Sequence, residues 1–266
     1  MRFILSLCVI LTMGSLVFAG PEGRPLEKQS FTDVLKGKSG DLMEKPYKET
    51  YPLVKGLDAA GWFTVDIAPG ANRSSIDPDM RGRGWIGKGP EADMRRLESG
   101  KHTWYGVPFT VLDPKGGKAN NCIAMASRHI PITEAPEKVS ISVGRKARVL
   151  YFLHACAWST MAHNFEYVAT YDDGTKESLP VNPAGVLRGQ YENIHDWLSE
   201  DLIETPASRY VILPRDKTPE GMLDTRVLYI LEWELKNPGK VIKSLEFSGS
   251  AKNESTILVL AVTGHE

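Results

Sequence analysis

The sequence predicts an all-β protein, a jelly-roll β-sandwich of two antiparallel sheets preceded by an irregular N-terminal extension. Three observations carry this reading. From Gly61 onward, short apolar runs are separated by Gly, Pro, Asn and Asp, as in domains built from many strands and turns. Several runs alternate apolar and polar residues with a period of two, the mark of strands with one buried face. Helical periodicity is almost absent.

Taken in order, residues 20–60 are rich in Lys, Glu, Gly and Pro, and neither a two-residue nor a 3.6-residue period persists, so they form the extension. Within it, Lys48 to Val54 can add a short strand or lie across the sandwich, since Tyr47, Tyr51 and Leu53 would otherwise be exposed. A strand runs from Cys122 to Ala126. Val139, Ile141 and Val143 then alternate with Ser140, Ser142 and Gly144. Val149 to Trp158 is a continuous apolar strand. Tyr167 to Asp172 and Thr175 to Leu179 form a hairpin, with Asp173-Gly174 supplying the positive φ angles of a type I′ turn. Val227, Tyr229, Leu231, Trp233 and Leu235 share one face, opposite Glu232, Glu234 and Lys236, and Leu245 and Phe247 continue the pattern. Thr256 to Val262 is apolar throughout, as a central strand covered on both faces would be. Two segments suggest short helices: Glu91 to Leu97, and Ile194 to Leu202 with Asp196 placed to complement the helix dipole.

The ends and the composition bound the function. Met1-Arg2, an apolar run to Phe18 and the small residue Ala19 read as a signal peptide over residues 1–19, which predicts a secreted or periplasmic protein. Nothing after the leader is long and apolar enough to span a membrane. The 266-residue chain carries 32 basic and 33 acidic residues, a net charge of −1. Loss of the leader removes Arg2 alone and leaves −2, a balance that argues against nucleic acid or an anionic membrane as partner. Residues 61–266 suffice for one large β domain. Of three cysteines, Cys8 leaves with the leader. Cys122 and Cys156 then either tie two strands as a disulfide or act as buried thiols. No CxxC spacing points to zinc.

The strand ending His154-Ala155-Cys156-Ala157-Trp158 delivers an imidazole and an indole close together, a pairing suited to a sugar. With Gly84-Trp85, Gly106-Val107-Pro108-Phe109, Asp113-Pro114, Asp173-Gly174, Asn193-Ile194, Asp196-Trp197, Trp233 and Asn237-Pro238, it resembles the galactose-binding-like β-sandwich modules found with bacterial polysaccharide-degrading enzymes. The resemblance covers roughly residues 61 to 263. It implies a carbohydrate-binding protein without catalysis, in which Trp158 or Trp197 stacks on the sugar and His154, Asp196, Asn193 and Arg128 meet its hydroxyls. Each has a structural alternative: a core histidine bonded to a neighbouring loop, or an Asp capping a turn with the Trp packed beneath it. Trp62, Trp104 and Trp233 read as core, and Trp85, between Gly84 and Gly87, as intermediate. No cofactor is implied. Modules of this type often hold a structural calcium, for which Asn72-Arg73-Ser74-Ser75 and Asp77-Pro78-Asp79 offer oxygens, without EF-hand spacing.

Two rival functions remain open on sequence. One is an interaction or adhesion scaffold that docks a protein partner through the N-terminal extension. The other is a glycan-active, glycoside hydrolase-like enzyme with an unfamiliar site. The familiar nucleophile-elbow, HExxH and P-loop motifs are missing, Asp172 and Asp173 sit in a turn, and Glu232 and Glu234 lie on the polar face of a strand.

Overall fold

The computed structural model describes residues 57–58, 60–77, 84–159, 165–183, 193–198, 208–213 and 226–266. The leader, nearly all of the extension including its Lys48–Val54 segment, Pro78, Asp79 and residues 199–202 lie outside them. Among the described residues the regular structure is all strand, apart from three short 3-10 turns.

Twelve strands follow one another: β1 (Trp62–Val65), β2 (Gly100–Trp104), β3 (Val107–Val111), β4 (Ile123–Ala124), β5 (Lys138–Lys146), β6 (Val149–Ala157), β7 (Phe165–Tyr171), β8 (Lys176–Val181), β9 (Ser208–Ile212), β10 (Val227–Glu234), β11 (Val241–Ser248) and β12 (Thr256–His265). One sheet has the order β1-β12-β6-β10-β9, with β4 also paired to β12, and the other has the order β5-β11-β7-β8. All their pairings are antiparallel. The chain passes from one sheet to the other between β4 and β5, β5 and β6, β6 and β7, β8 and β9, β10 and β11, and β11 and β12, which locks the two sheets face to face.

The period-two pattern explains the core. Phe152 and Leu150 of β6, Tyr229, Leu231 and Trp233 of β10, and Val259 and Val262 of β12 face Tyr167 of β7, Ile141 of β5 and Leu245 and Phe247 of β11 in one buried cluster. Tyr167 and Phe247 meet edge to face at 5.1 Å, the arrangement that aromatic quadrupoles favour. The opposite face of the first sheet is covered as well. The β2–β3 hairpin packs against β12 and β1, burying Val107, Phe109 and Val111. Tyr105 at its turn donates a 2.7 Å hydrogen bond to the Tyr210 carbonyl on β9, and Thr263 of β12 donates to the Pro108 carbonyl. With a layer on each side, β6 and β12 are buried along their whole length. That is why both read as unbroken apolar runs.

Several local expectations change. The β7–β8 hairpin forms, but Gly174 is its one left-handed residue, at φ 82°. Asp173 instead accepts hydrogen bonds from the Thr175 amide and hydroxyl at 2.9 and 2.6 Å, so the turn is not type I′. Glu91 to Leu97 is not helical beyond a 3-10 turn at Pro90–Ala92. Its Asp93 carboxylate accepts from the Asp77 amide and from Arg95, and the Met94 amide donates to the Ser75 carbonyl, so tertiary bonds take the groups a helix would use. Ile194 and Asp196 bridge Pro183 and Cys156 as extended chain, not as a helix start. Cys122 and Cys156 are separate buried thiols, which corrects the disulfide alternative. Burial raises both thiol pKa values, so they belong to the packing.

Gly264 marks the closest approach across the β1–β12 pair, since a Cβ there would sit 2.2 Å from the Phe63 ring. Gly264→Val is expected to destabilise the fold by about 1–3 kcal/mol through overpacking. Urea melts measure this, and an unchanged midpoint would contradict the packing described. In native protein neither Cys122 nor Cys156 should react with a thiol reagent within minutes, and both should react once urea unfolds it. Prompt native labelling of either would contradict their burial.

Candidate functional site

The expected ligand cluster does not form as a unit. His154 lies in the middle of β6, fully buried between the sheets. Its Nδ1 is 2.9 Å from the Tyr167 hydroxyl of the facing sheet, and its Nε2 has no hydrogen-bond partner among the described residues. It is a core histidine, because β6 continues three residues past it, to Ala157. Trp197 is 1% exposed; it packs edge-on against Trp85 at 5.0 Å and lies under the Arg226 guanidinium at 4.7 Å. Neither ring is open to a ligand, and Trp85 is equally sealed.

Asn193 and Asp196 serve the backbone. The Asn193 side chain accepts from the Asn182 amide at 2.8 Å and donates to the Pro180 carbonyl at 2.9 Å. The Asp196 carboxylate accepts from the amides of Ser159 and Leu198 at 3.2 and 3.0 Å. Arg128 is exposed and ion-paired with Glu254. Of the side-chain oxygens that residues 72–77 offer to calcium, all but Asp77 Oδ1 are engaged. Asn72 Oδ1 accepts from the Ala124 amide, Ser74 Oγ from the Ile76 amide and Asp77 Oδ2 from the Gly89 amide. Among the described residues no group of three or more His, Cys, Asp or Glu side chains is arranged to hold a metal ion.

Trp158, of the expected set, lines a hollow among the described residues. The hollow has a volume of about 220 Å³ and is walled by Arg73, Ile86, Gly87, Lys88, His129, Glu134 and Trp158. The indole reaches it because Trp158 takes a left-handed backbone, φ 54°, directly after β6. Such a conformation costs a bulky residue about 1–3 kcal/mol and persists only where the surroundings hold it. Here Ser255 donates from its hydroxyl to the Trp158 carbonyl at 3.0 Å, while Asp196 holds the next amide. Asp196 thus positions Trp158 rather than touching a ligand.

The facing wall is set by the loop after β4. Ser127 Oγ accepts from the amides of His129 and Ile130, both at 3.1 Å, and is bonded to Thr256 of β12 at 2.6 Å, which anchors the loop to the sheet. This turns His129 onto Trp158, with ring centroids 3.8 Å apart and planes 19° from parallel. Burial lowers the His129 pKa; the charges of Lys88 and Arg128 lower it further, and Glu254 opposes them. The ring is therefore neutral near pH 7.

Arg73 forms the floor. It is 7% exposed, its Nε and Nη2 donate to the Gly84 carbonyl at 3.1 and 2.5 Å, and its Nη1 donates to Glu134 at 2.9 Å. Gly87 and Gly89 flank Lys88 with φ of 62° and 83°, a backbone that side-chain-bearing residues rarely adopt. The hollow thus combines an aromatic wall with fixed donors and a single carboxylate. It can take a small polar ligand with one flat apolar face.

The sequence gives no sign of Ile86, Lys88 and Glu134 as ligand contacts; it offers Arg73 in a polar loop, Gly87 beside Trp85 where a ligand could approach the backbone, and His129 next to Arg128 after the Cys122 to Ala126 strand. The usable signal was the Gly-Lys-Gly run beside Trp85, since paired glycines in a polar loop mark backbone held in unusual conformations. Comparison with protein-family models, with curated proteins and with solved structures returns no match.

The sealed position of His154 has a consequence for stability. Burial pushes its pKa down to about 3, whereas an unfolded-state His titrates near 6.5. Between those values the unfolded chain binds the extra proton, so the stability present above about pH 6.5 is lost as pH falls toward 3, at ~1.4 kcal/mol per pH unit. The double variant His154→Leu, Tyr167→Phe should lose less stability than the parent between pH 7 and 4. Urea melts at both pH values measure it, and parallel losses would contradict a buried neutral His154.

Proposed function

We propose that the protein is an exported carbohydrate-binding β-sandwich of the galactose-binding-like, jelly-roll type, and that it binds sugar at the Trp158–His129 hollow without catalysis. The observation that carries this reading is the Trp158 indole, held in a left-handed kink and stacked on His129 at the wall of a polar pocket. An aromatic surface takes the C–H face of a pyranose, and Arg73, Lys88 and Glu134 supply donors and an acceptor for hydroxyls. A volume of about 220 Å³ is below that of pockets enclosing drug-sized ligands, which suits one sugar unit or a chain end.

The lining also favours binding over hydrolysis. Glycoside hydrolysis usually employs two carboxyl groups flanking the scissile bond. Glu134 is the one carboxylate on the wall, and it is ion-paired with Arg73. A lone shallow site of this kind binds in the mM to μM range, about −4 to −8 kcal/mol.

Affinity electrophoresis through gels containing different polysaccharides tests the proposal. At least one polysaccharide should retard the protein, and Trp158→Ala should abolish the retardation, a loss of at least about tenfold in affinity, while thermal unfolding stays close to that of the parent. Trp104→Ala, on the β2–β3 hairpin, should bind as the parent does. Retention of binding by Trp158→Ala would place the sugar elsewhere.

A further inference from the structure

We infer that the sugar taken by this hollow is acidic, carrying a carboxylate or a sulfate ester that Lys88 recognises. The inference rests on the carbohydrate reading above and names its ligand class. It comes from following each charge around the site to its partner.

The Arg73 guanidinium is buried and neutralised by Glu134 at 2.9 Å. Arg128 and Glu254, beside the hollow, form a second pair, and Glu254 also lies 3.6 Å from His129 Nε2. Each cation in these pairs has its anion. Lys88 differs. It is exposed, it lines the hollow, and among the described residues it has neither an ion pair nor a hydrogen bond. It sits between Gly87 and Gly89, both of positive φ, and lines the hollow together with Trp158 and His129. Among the described residues of the lining, the charge without a counter-ion is therefore the one positive charge of Lys88.

A neutral sugar would leave that charge facing water. An acidic one would meet it with a charge-assisted hydrogen bond while its ring stacks on the indole. The small volume limits the match to one acidic unit at a time. His129 supports the same conclusion. Burial holds off its proton, Glu254 opposes this and the charges of Lys88 and Arg128 add to it, so an incoming anion favours proton uptake by the ring. Arg73 and Glu134, the remaining charged groups on the lining, cancel.

The test is calorimetric titration of the mature chain with matched uronate-bearing, sulfated and neutral oligosaccharides, and with inorganic sulfate alone, at about 20 mM and about 500 mM salt. An acidic oligosaccharide should bind roughly tenfold tighter than its neutral counterpart at low salt. High salt or Lys88→Gln should remove that preference, bringing the acidic oligosaccharide down to the affinity of its neutral counterpart. Proton uptake should appear as a dependence of the measured heat on buffer ionisation. Equal binding of acidic and neutral sugars with Lys88→Gln silent overturns the acidic assignment and leaves the carbohydrate reading standing. Sulfate binding as tightly as any acidic sugar, insensitive to Trp158→Ala, overturns both in favour of a simple anion site. No binding by any of these ligands also overturns both.

Discussion

Strands β6 and β12 are buried on both faces, and this double covering governs everything else in the molecule. A sheet sealed by a second sheet on one side and by a hairpin on the other leaves its central strands no route to solvent except at their ends. Any polar side chain within them must find its partner inside, as His154 does with Tyr167 and Ser127 with Thr256. The first β6 side chain able to leave the layers is the one just beyond Ala157. The left-handed backbone of Trp158 makes that exit, and two side-chain bonds, from Ser255 and to Asp196, hold it.

The hollow is thus assembled at a strand end from parts with separate anchors. Arg73 is fixed through the Gly84 carbonyl, His129 through the Ser127 turn and Trp158 through Ser255, so the lining is set before any ligand arrives. Preformed polar groups lower the ordering cost that any weakly held ligand would otherwise meet. Among the described residues of the lining, Lys88 lacks a counter-ion, while Arg73 and Glu134 are held as a pair.

Much of this was legible in the sequence and some was not, for physical reasons. Period-two alternation located β5, β7, β10 and β11, because each has one face toward the core. The continuous apolar runs of β6 and β12 announced burial on both faces. The end of β6 was read within one residue, at Trp158, but the same uniformity hid that His154, three residues before the end, turns its ring between the sheets. Trp197 was misplaced for a related reason: a tryptophan beside turn residues looks accessible, yet its amide donates to the Cys156 carbonyl at 2.7 Å and its ring lies beneath Arg226. Asn193 and Asp196 were noticed for their chemistry, which the backbone uses. The walls of the hollow come from residues 73, 86–88, 129–134 and 158, and only the pairing of distant segments brings them together.

The claim at the centre of this account is that Trp158 is the ring that meets the sugar. Indole amide resonances, recorded by NMR on tryptophan-labelled protein during titration with a polysaccharide it binds, address that claim most directly. The account predicts that, of the six indole signals, that of Trp158 moves in proportion to occupancy while those of Trp85, Trp197 and Trp233 hold still. A saturating shift at Trp85 or Trp197 with Trp158 unmoved would contradict it.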